Sequence, residues 1–345
     1  MSEVQISVLD DSISQRWKNN TTPDATAYQT PEWSKVINES YGHEALVLHD
    51  ESFDSILPVV CIRSRIFGSH LVSMPFVEYG GPIMKGRSSF AGMVAKMDEY
   101  ARQNGFGTAE LRLAPEQSNL ADEMDGFKAR DGLCTFLANL KDSGAMFESL
   151  SKDVRWSINR ATNSGVEISE AKSIEDLHDY YMLYLKTMKK HGTPPHSRLF
   201  FESMWRIMGS MMRVMLAKHE GNLVSGSIFF LFNKRIFHWS SVSDDRYNHL
   251  NAGSLLLWDT LEWGSDNGFS SFDFGRTTVG TGVYEFKKEW GGEEVKICHM
   301  VKSYGRSKPT DPDDVKFKIA SNVWKLLPTS VSEALGKYLR KNITL

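Results

Sequence analysis

The chain has 345 residues, 41% apolar and 24% charged, the profile of a soluble globular protein long enough for two domains. Its net charge of −3 provides no overall field for nucleic acid, so an RNA partner would need a local basic patch. Cys61, Cys134 and Cys298 lie too far apart for a metal motif or a disulfide framework, the start MSEVQISVLDDS has no apolar signal core, and no apolar run reaches the roughly 20 residues of a membrane span. The expectation is a cytoplasmic protein that needs no metal.

In chain order, Gln5 to Leu9 reads as a short strand. Pro31 opens a helix through Glu39, with Trp33, Val36 and Ile37 as its apolar stripe. Ala45 to His49, Ser55 to Phe67 and Leu71 to Phe76 read as strands, and Tyr79-Gly80-Gly81-Pro82 as a loop. A helix over Ser88 to Gln103 leads to a strand over Gly107 to Leu113. Asp142 to Ser164 has one helical pattern, with cations along one side and Gly165 closing it. Val166 to Ser169 is a strand, and Asp176 to Lys189 and Ser197 to Met208 are helices. Met211 to Lys218, Leu223 to Phe232 and Arg235 to Ser243 are strands, the last two joined by a turn near Asn233.

The densest chemistry follows. Leu255, Leu256, Trp258, Leu261 and Trp263 recur at helical spacing, with Asn251 as cap and Asn267-Gly268 as stop. Phe269 to Phe274 is a short strand. Asp273, Gly275 and Arg276 fall at its C-terminal end, where α/β sheets hold ligands. A glycine-containing turn leads to Tyr284, Phe286, Lys287 and Trp290, and Glu294 to Met300 is the last strand. Residues 311–345 carry two apolar stripes interleaved with lysines, either terminal helices packed on the body or a basic amphipathic tail for an anionic membrane surface.

Residues 99–110 (EYARQNGFGTAE) and 262–273 (EWGSDNGFSSFD) align at a constant offset of 163. Each follows a strand pair, a glycine-containing loop and an amphipathic helix. This predicts an internal duplication, two copies of one α/β unit with a mixed sheet.

The ordered set Pro75-Phe76…Tyr79-Gly80-Gly81, Arg155…Ile158-Asn-Arg160-Ala161, Tyr184…Thr187…His191-Gly192-Thr193-Pro194, Phe272-Asp273-Phe274-Gly275-Arg276 and Gly282-Val-Tyr284-Glu-Phe286-Lys287…Trp290-Gly291 resembles the FemAB-type transferases of the acetyltransferase-like (GNAT) superfamily. The resemblance covers about residues 28–305. It implies tandem GNAT-like domains, here 1–145 and a catalytic 146–305, with 306–345 as a helical tail. It implies transfer of an aminoacyl or acyl group to an amine, as in cell-envelope or exopolysaccharide biosynthesis, with no tightly bound cofactor. The donor is aminoacyl-tRNA or an acyl thioester on coenzyme A or acyl carrier protein. The chain lacks the long helical hairpin that some cross-bridge enzymes use for tRNA, and Arg246 to Gly253 is only a degenerate coenzyme A loop, so both donors stay open. Two other readings are an N-acyl amino acid synthase and a catalytically silent module docked on a membrane assembly.

Within that resemblance, aminolysis needs an oxyanion donor and two reactants held together, and the strand Phe237 to Ser243 would supply the donor N–H. The helix start at Gly253 and Ser254 presents amides suited to phosphate, with Arg246 adding charge. Lys287 binds an anion or is a solvated lysine. Asp273 takes the amine proton or pairs with Arg276. Tyr284 bonds substrate or packs the core, Trp290 binds substrate or is core, and Phe286 is read as core. Arg155 and Arg160 contact an anionic donor or line a surface helix. His191 is a base, or it caps a helix end.

Overall fold

The structure, a computed structural model, describes residues 3–305 and 315–344, so positions 311–314 of the expected tail lie outside it. The chain divides into two units: Met1–Leu133 with Lys296–Pro312 and Lys341–Leu345, and Cys134–Val295 with Asp313–Arg340. The expected boundaries at 145 and 305 therefore do not coincide with the units. The strand Leu133–Asn139 belongs to the second sheet and Cys298–Ser303 to the first.

In the first unit the strands run in the order Gln5–Val8, Glu44–His49, Ser55–Ser64, Gly68–Val72, Thr108–Leu113, Cys298–Ser303, Lys128–Ala129. All neighbours are antiparallel except Gly68–Val72 with Thr108–Leu113. Parallel strands need a crossover, supplied by the helix Phe90–Gln103, whose Phe90, Met93 and Met97 pack on Leu57, Val59 and Leu111.

The second unit repeats this plan: Glu167–Glu170, Met212–His219, Asn222–Phe232, Arg235–Ser243, Ser271–Asp273, Leu133–Asn139, Thr277–Thr278. Here too a strand pair is parallel, Arg235–Ser243 with Ser271–Asp273, and again a helix, Ala252–Asp266, makes the crossover. Its Leu256, Leu257 and Leu261 pack with Phe229, Ile236 and Phe272.

The duplication read at an offset of 163 is visible bond by bond. Asn104 N donates to Tyr100 O at 3.0 Å, and Asn267 N to Trp263 O at 3.0 Å. The two Asn side chains repeat the bond at 2.9 and 2.8 Å. Phe106 N reaches Ala101 O at 2.9 Å, and Phe269 N reaches Gly264 O at 3.0 Å. Gly105 and Gly268 sit at φ 67° and 76°, the left-handed turn that glycine adopts at low cost.

Other elements depart from expectation. A helix over Asp11–Asn19 and the strand Leu133–Asn139 had no assignment. The pattern over 142–164 resolves into two helices, Ser143–Ser149 and Lys152–Asn163, because Ser151 caps the second by accepting from Val154 N. The turn after Gly280 holds a further helix, Gly282–Lys288, and Glu294 to Met300 divides into Glu293–Lys296 and Cys298–Ser303. The tail helices Val315–Leu326 and Thr329–Arg340 pack within the second unit on Ile174–His191, the first of the two readings of this segment. Gly192 lies against Ser321 and Gly336 against Pro195, where a Cβ on either glycine would collide.

Candidate active site

The parallel pairing of the second unit ends at Phe237–Asp273, while the strand Arg235–Ser243 continues. A cavity of about 280 Å³ lies beside that continuation. Its walls are His238, Ser241 and Ser243 on the strand, Val224 and Ser225 on the neighbouring strand, Asp244, Tyr247, Asn248 and Asn251 on the turn that follows, Ala252 to Ser254 and Leu257 on the crossover helix, and Phe286.

A β-bulge sets which side chains reach it. Phe229 opposes His238 and Ile228 opposes Ser240, leaving Trp239 as the extra residue. Trp239 packs among Phe200, Phe201 and Phe230, and Tyr180 Oη donates to Ser240 Oγ at 3.0 Å, so both residues face away from the crossover helix. The alternation then resumes out of phase, and His238, Ser241 and Ser243 share the cavity side. Their hydroxyls are linked: Ser227 to Ser241 at 2.6 Å and Ser225 to Ser243 at 3.0 Å.

His238 bonds Ser241 Oγ through Nε2 at 2.7 Å and stacks on Phe229. Its Nδ1 is buried with no hydrogen-bond partner among the described residues. Burial, with the Lys287 charge, lowers its pKa to about 3, so the ring is neutral at pH 7.

The crossover helix begins without a side-chain cap. Asn251 stands at the cap position in left-handed backbone, φ 56°, and its side chain makes no capping bond, which corrects the expected cap. Its carbonyl accepts from Ser254 N at 3.0 Å, leaving the amides of Ala252 and Gly253 for a ligand or water. The expected residues Gly253 and Ser254 thus line the cavity.

Beneath the cavity lies a buried node. Asp273 Oδ1 accepts from Thr135 Oγ1 at 2.6 Å and from Gly275 N at 2.8 Å. Lys287 Nζ donates to Gly275 O at 2.8 Å and Arg276 O at 3.1 Å. Gly275, at φ 73°, passes so close to His238 O that no Cβ would fit. Asp273 and Lys287 therefore converge on the turn at Gly275, with Arg276 joined through its carbonyl, but Asp273 and Lys287 are buried braces of that turn and none of the three lines the cavity. Lys287 is not a solvated lysine.

The remaining expected residues lie outside the cavity. Arg246 grips Asp244 with two bonds, at 3.0 and 2.7 Å, and that hydrogen bonding holds the Asp244 carboxyl at about 2. Arg155 pairs with Glu148 at 2.9 Å on the surface. Arg160 donates to His249 O at 2.6 Å, tying the helix Lys152–Asn163 to the turn before Asn251. His191 ends its helix beside the cap Gly192, and burial lowers its pKa. Tyr284 donates to Glu294 at 2.7 Å, which pushes its pKa up to about 12, and packs on Phe136. Trp290 is core, against Phe274. Conversely Phe286, expected in the core, lines the cavity.

His238 and the serines carried no expectation. The available signal was polarity: His-Trp-Ser-Ser-Val-Ser in a central strand, facing Ser225 and Ser227 in its partner, is unusual where both faces are covered.

Residues 148–288 match the acetyltransferase (GNAT) domain family. Over 140 residues, 40% of this chain, the sequence is 22% identical to the UDP-N-acetylmuramoylpentapeptide-lysine N(6)-alanyltransferase of Weissella viridescens, and the match spans 41% of that enzyme's length. The crystal structure of FemX superposes at a TM-score of 0.67 with 11% identity, covering 87% of this chain and 97% of that one. The C-terminal domain of a putative lysylphosphatidylglycerol synthetase from Agrobacterium fabrum gives 0.58 with 13% identity, covering 90% and 94%. The cavity and the node beneath it draw their walls from the GNAT-matching segment, apart from Thr135.

Proposed function

From a chain whose residues 148–288 belong to the acetyltransferase (GNAT) family, we propose a FemAB-like transferase that moves an aminoacyl or acyl group from an activated ester to an amine. The single observation that carries this reading is the cavity between the bulged strand and the uncapped helix start, inside the GNAT-matching segment.

The donor's carbonyl enters beside the strand past Phe237, where the parallel pairing with Ser271–Asp273 has ended, and a strand N–H stabilises the oxyanion. The amine attacks the carbonyl carbon, the bond to the leaving oxygen or sulfur breaks, and the proton lost by the amine ends on the leaving group. The amides at Ala252 and Gly253 bind an anionic part of the donor, favoured by the helix dipole. Ser225, Ser241 and Ser243 orient it through hydroxyls, and Phe286 forms the apolar wall. Lys287 and Asp273 fix the turn at Gly275 beside the reacting centre. The Weissella relative, a UDP-N-acetylmuramoylpentapeptide-lysine N(6)-alanyltransferase, favours by analogy an alanyl-type donor and a muramoylpentapeptide-type acceptor.

The test is transfer by the wild type and by Gly253→Phe, with aminoacyl-tRNA and with acyl thioester as alternative donors. Space beyond Gly253 admits a Cβ, with Ser225 Oγ 3.7 Å away, so the variant keeps its fold while filling the cavity. Loss of transfer with an unchanged melting temperature supports the reading; undiminished transfer removes it.

A further inference from the structure

The last helix of the second unit, Thr329–Arg340, is built with its bulky apolar residues outward. Its inward positions are Ser332 and Gly336, the latter pressed on Pro195. Its outward positions include Val331, Leu335 and Tyr338, which are 39%, 45% and 59% exposed. The spacing, i, i+4 and i+7, places them on one stripe. In the preceding helix Trp324 is buried, while Val323 and Leu326 are exposed, Leu326 at 84%. A surface helix of a globular protein turns its apolar stripe to the core; here apolar residues of both helices remain in solvent.

The charge around that face is one-sided. From Asp311 to Leu345 the sequence holds Lys316, Lys318, Lys325, Lys337, Arg340 and Lys341 against Asp311, Asp313, Asp314 and Glu333, and Glu333 is the one acid among the described tail residues 315–344. Lys325 and Lys337 are exposed beside the stripe. Arg340 turns inward and donates to His196 Nε2 at 3.1 Å.

We propose that this face docks on an anionic phospholipid surface, with Leu326, Val331, Leu335 and Tyr338 entering the headgroup boundary and Lys325 and Lys337 meeting lipid phosphates. Apolar stripe plus flanking lysines is the chemistry of an interfacial helix, in which burial and surface charge add. No helix among the described residues is long and apolar enough to cross a membrane, so the contact is peripheral. An anionic surface complements the exposed Lys325 and Lys337.

The test is flotation of the full chain with vesicles of phosphatidylcholine alone or with one third phosphatidylglycerol. The proposal expects co-flotation with the anionic vesicles, about tenfold or more weaker on neutral ones. Leu335→Ser combined with Tyr338→Ser abolishes it, and Lys325→Glu combined with Lys337→Glu weakens it, both at unchanged melting temperature because the residues face solvent. Failure to float with anionic vesicles overturns the proposal, as does undiminished flotation of the apolar variant. So does a dimer in light scattering that the apolar variant dissolves, since a second copy would then cover the face. Flotation is read without transfer, so its failure leaves the reading of the cavity standing.

Discussion

In the first unit, the space beyond the parallel pair at Val72 is filled by the chain itself. The loop after Val72 folds back, with Gly80 N donating to Arg112 O at 2.9 Å. Arg112, wholly buried, holds Val77 O at 2.6 Å, Glu110 Oε1 at 2.8 Å and the carbonyl of Thr344. In the second unit, the corresponding space beyond Phe237 is the cavity lined by hydroxyls and an uncapped helix start. The duplicated acids show the same divergence. Glu110 pairs with a buried guanidinium, whereas Asp273 braces a glycine turn beneath an open cleft. Duplication gives two such clefts; a buried ion-pair network closes one, and the other remains available for a ligand.

The largest expected effect comes from breaking the closed copy. Glu110→Ala leaves the buried Arg112 charge short of its partner and costs about 3–5 kcal/mol, read by denaturant unfolding. A loss below about 1 kcal/mol would mean that the network does not hold that unit together.

Next is the open copy. Lys287→Met leaves the carbonyls of Gly275 and Arg276 without their donor and costs about 1–3 kcal/mol. Transfer falls by about 100-fold as the turn beside the cavity shifts. Full activity in a well-folded variant would separate the node from the chemistry.

The groups at the two clefts, Glu110 and His238, also differ in acid response. Burial raises the Glu110 pKa, but the Arg112 guanidinium outweighs it and holds the carboxyl at about 2. A folded pKa below the unfolded value of about 4.3 stabilises above that pH and is lost as pH falls toward 2. For His238 the folded value, about 3, lies below the unfolded value of about 6.5. Between these values the unfolded chain takes a proton that the folded ring refuses, so stability declines from about pH 6.5 downward. His238→Gln reduces that early decline, and Glu110→Gln reduces only the later one; pH titrations of unfolding distinguish them. Because His238 stays neutral, it adds no inflection to transfer between about pH 6 and 8.

These features were unequally legible in the sequence. The repeat, the crossover helices and the convergence of Asp273 and Lys287 on the turn at Gly275 follow from local spacing and turn chemistry. The cavity does not, because a bulge at Trp239 shifts the alternation by one residue and periodicity cannot register an unpaired insertion. The exchange of Leu133–Asn139 and Cys298–Ser303 between sheets was illegible for a related reason. A short apolar run names a strand without naming its partner. Arg155, Arg160 and Arg246 show the limit of residue type: each has a nearby acceptor, Glu148, His249 O or Asp244, that sequence order does not reveal.

The smallest effect is therefore expected at Arg155→Ala, an exposed pair outside both copies of the cleft. Stability changes by less than about 0.5 kcal/mol and transfer is unaffected. A large loss of transfer would return Arg155 to the donor site.

The central claim, that the donor occupies the second copy of the cleft, is tested most directly by amide hydrogen exchange with and without a non-hydrolysable donor analogue. Slowed exchange is predicted across 238–243 and 251–256, with no change across 73–82. Protection confined to 73–82, with 238–243 untouched, would contradict it.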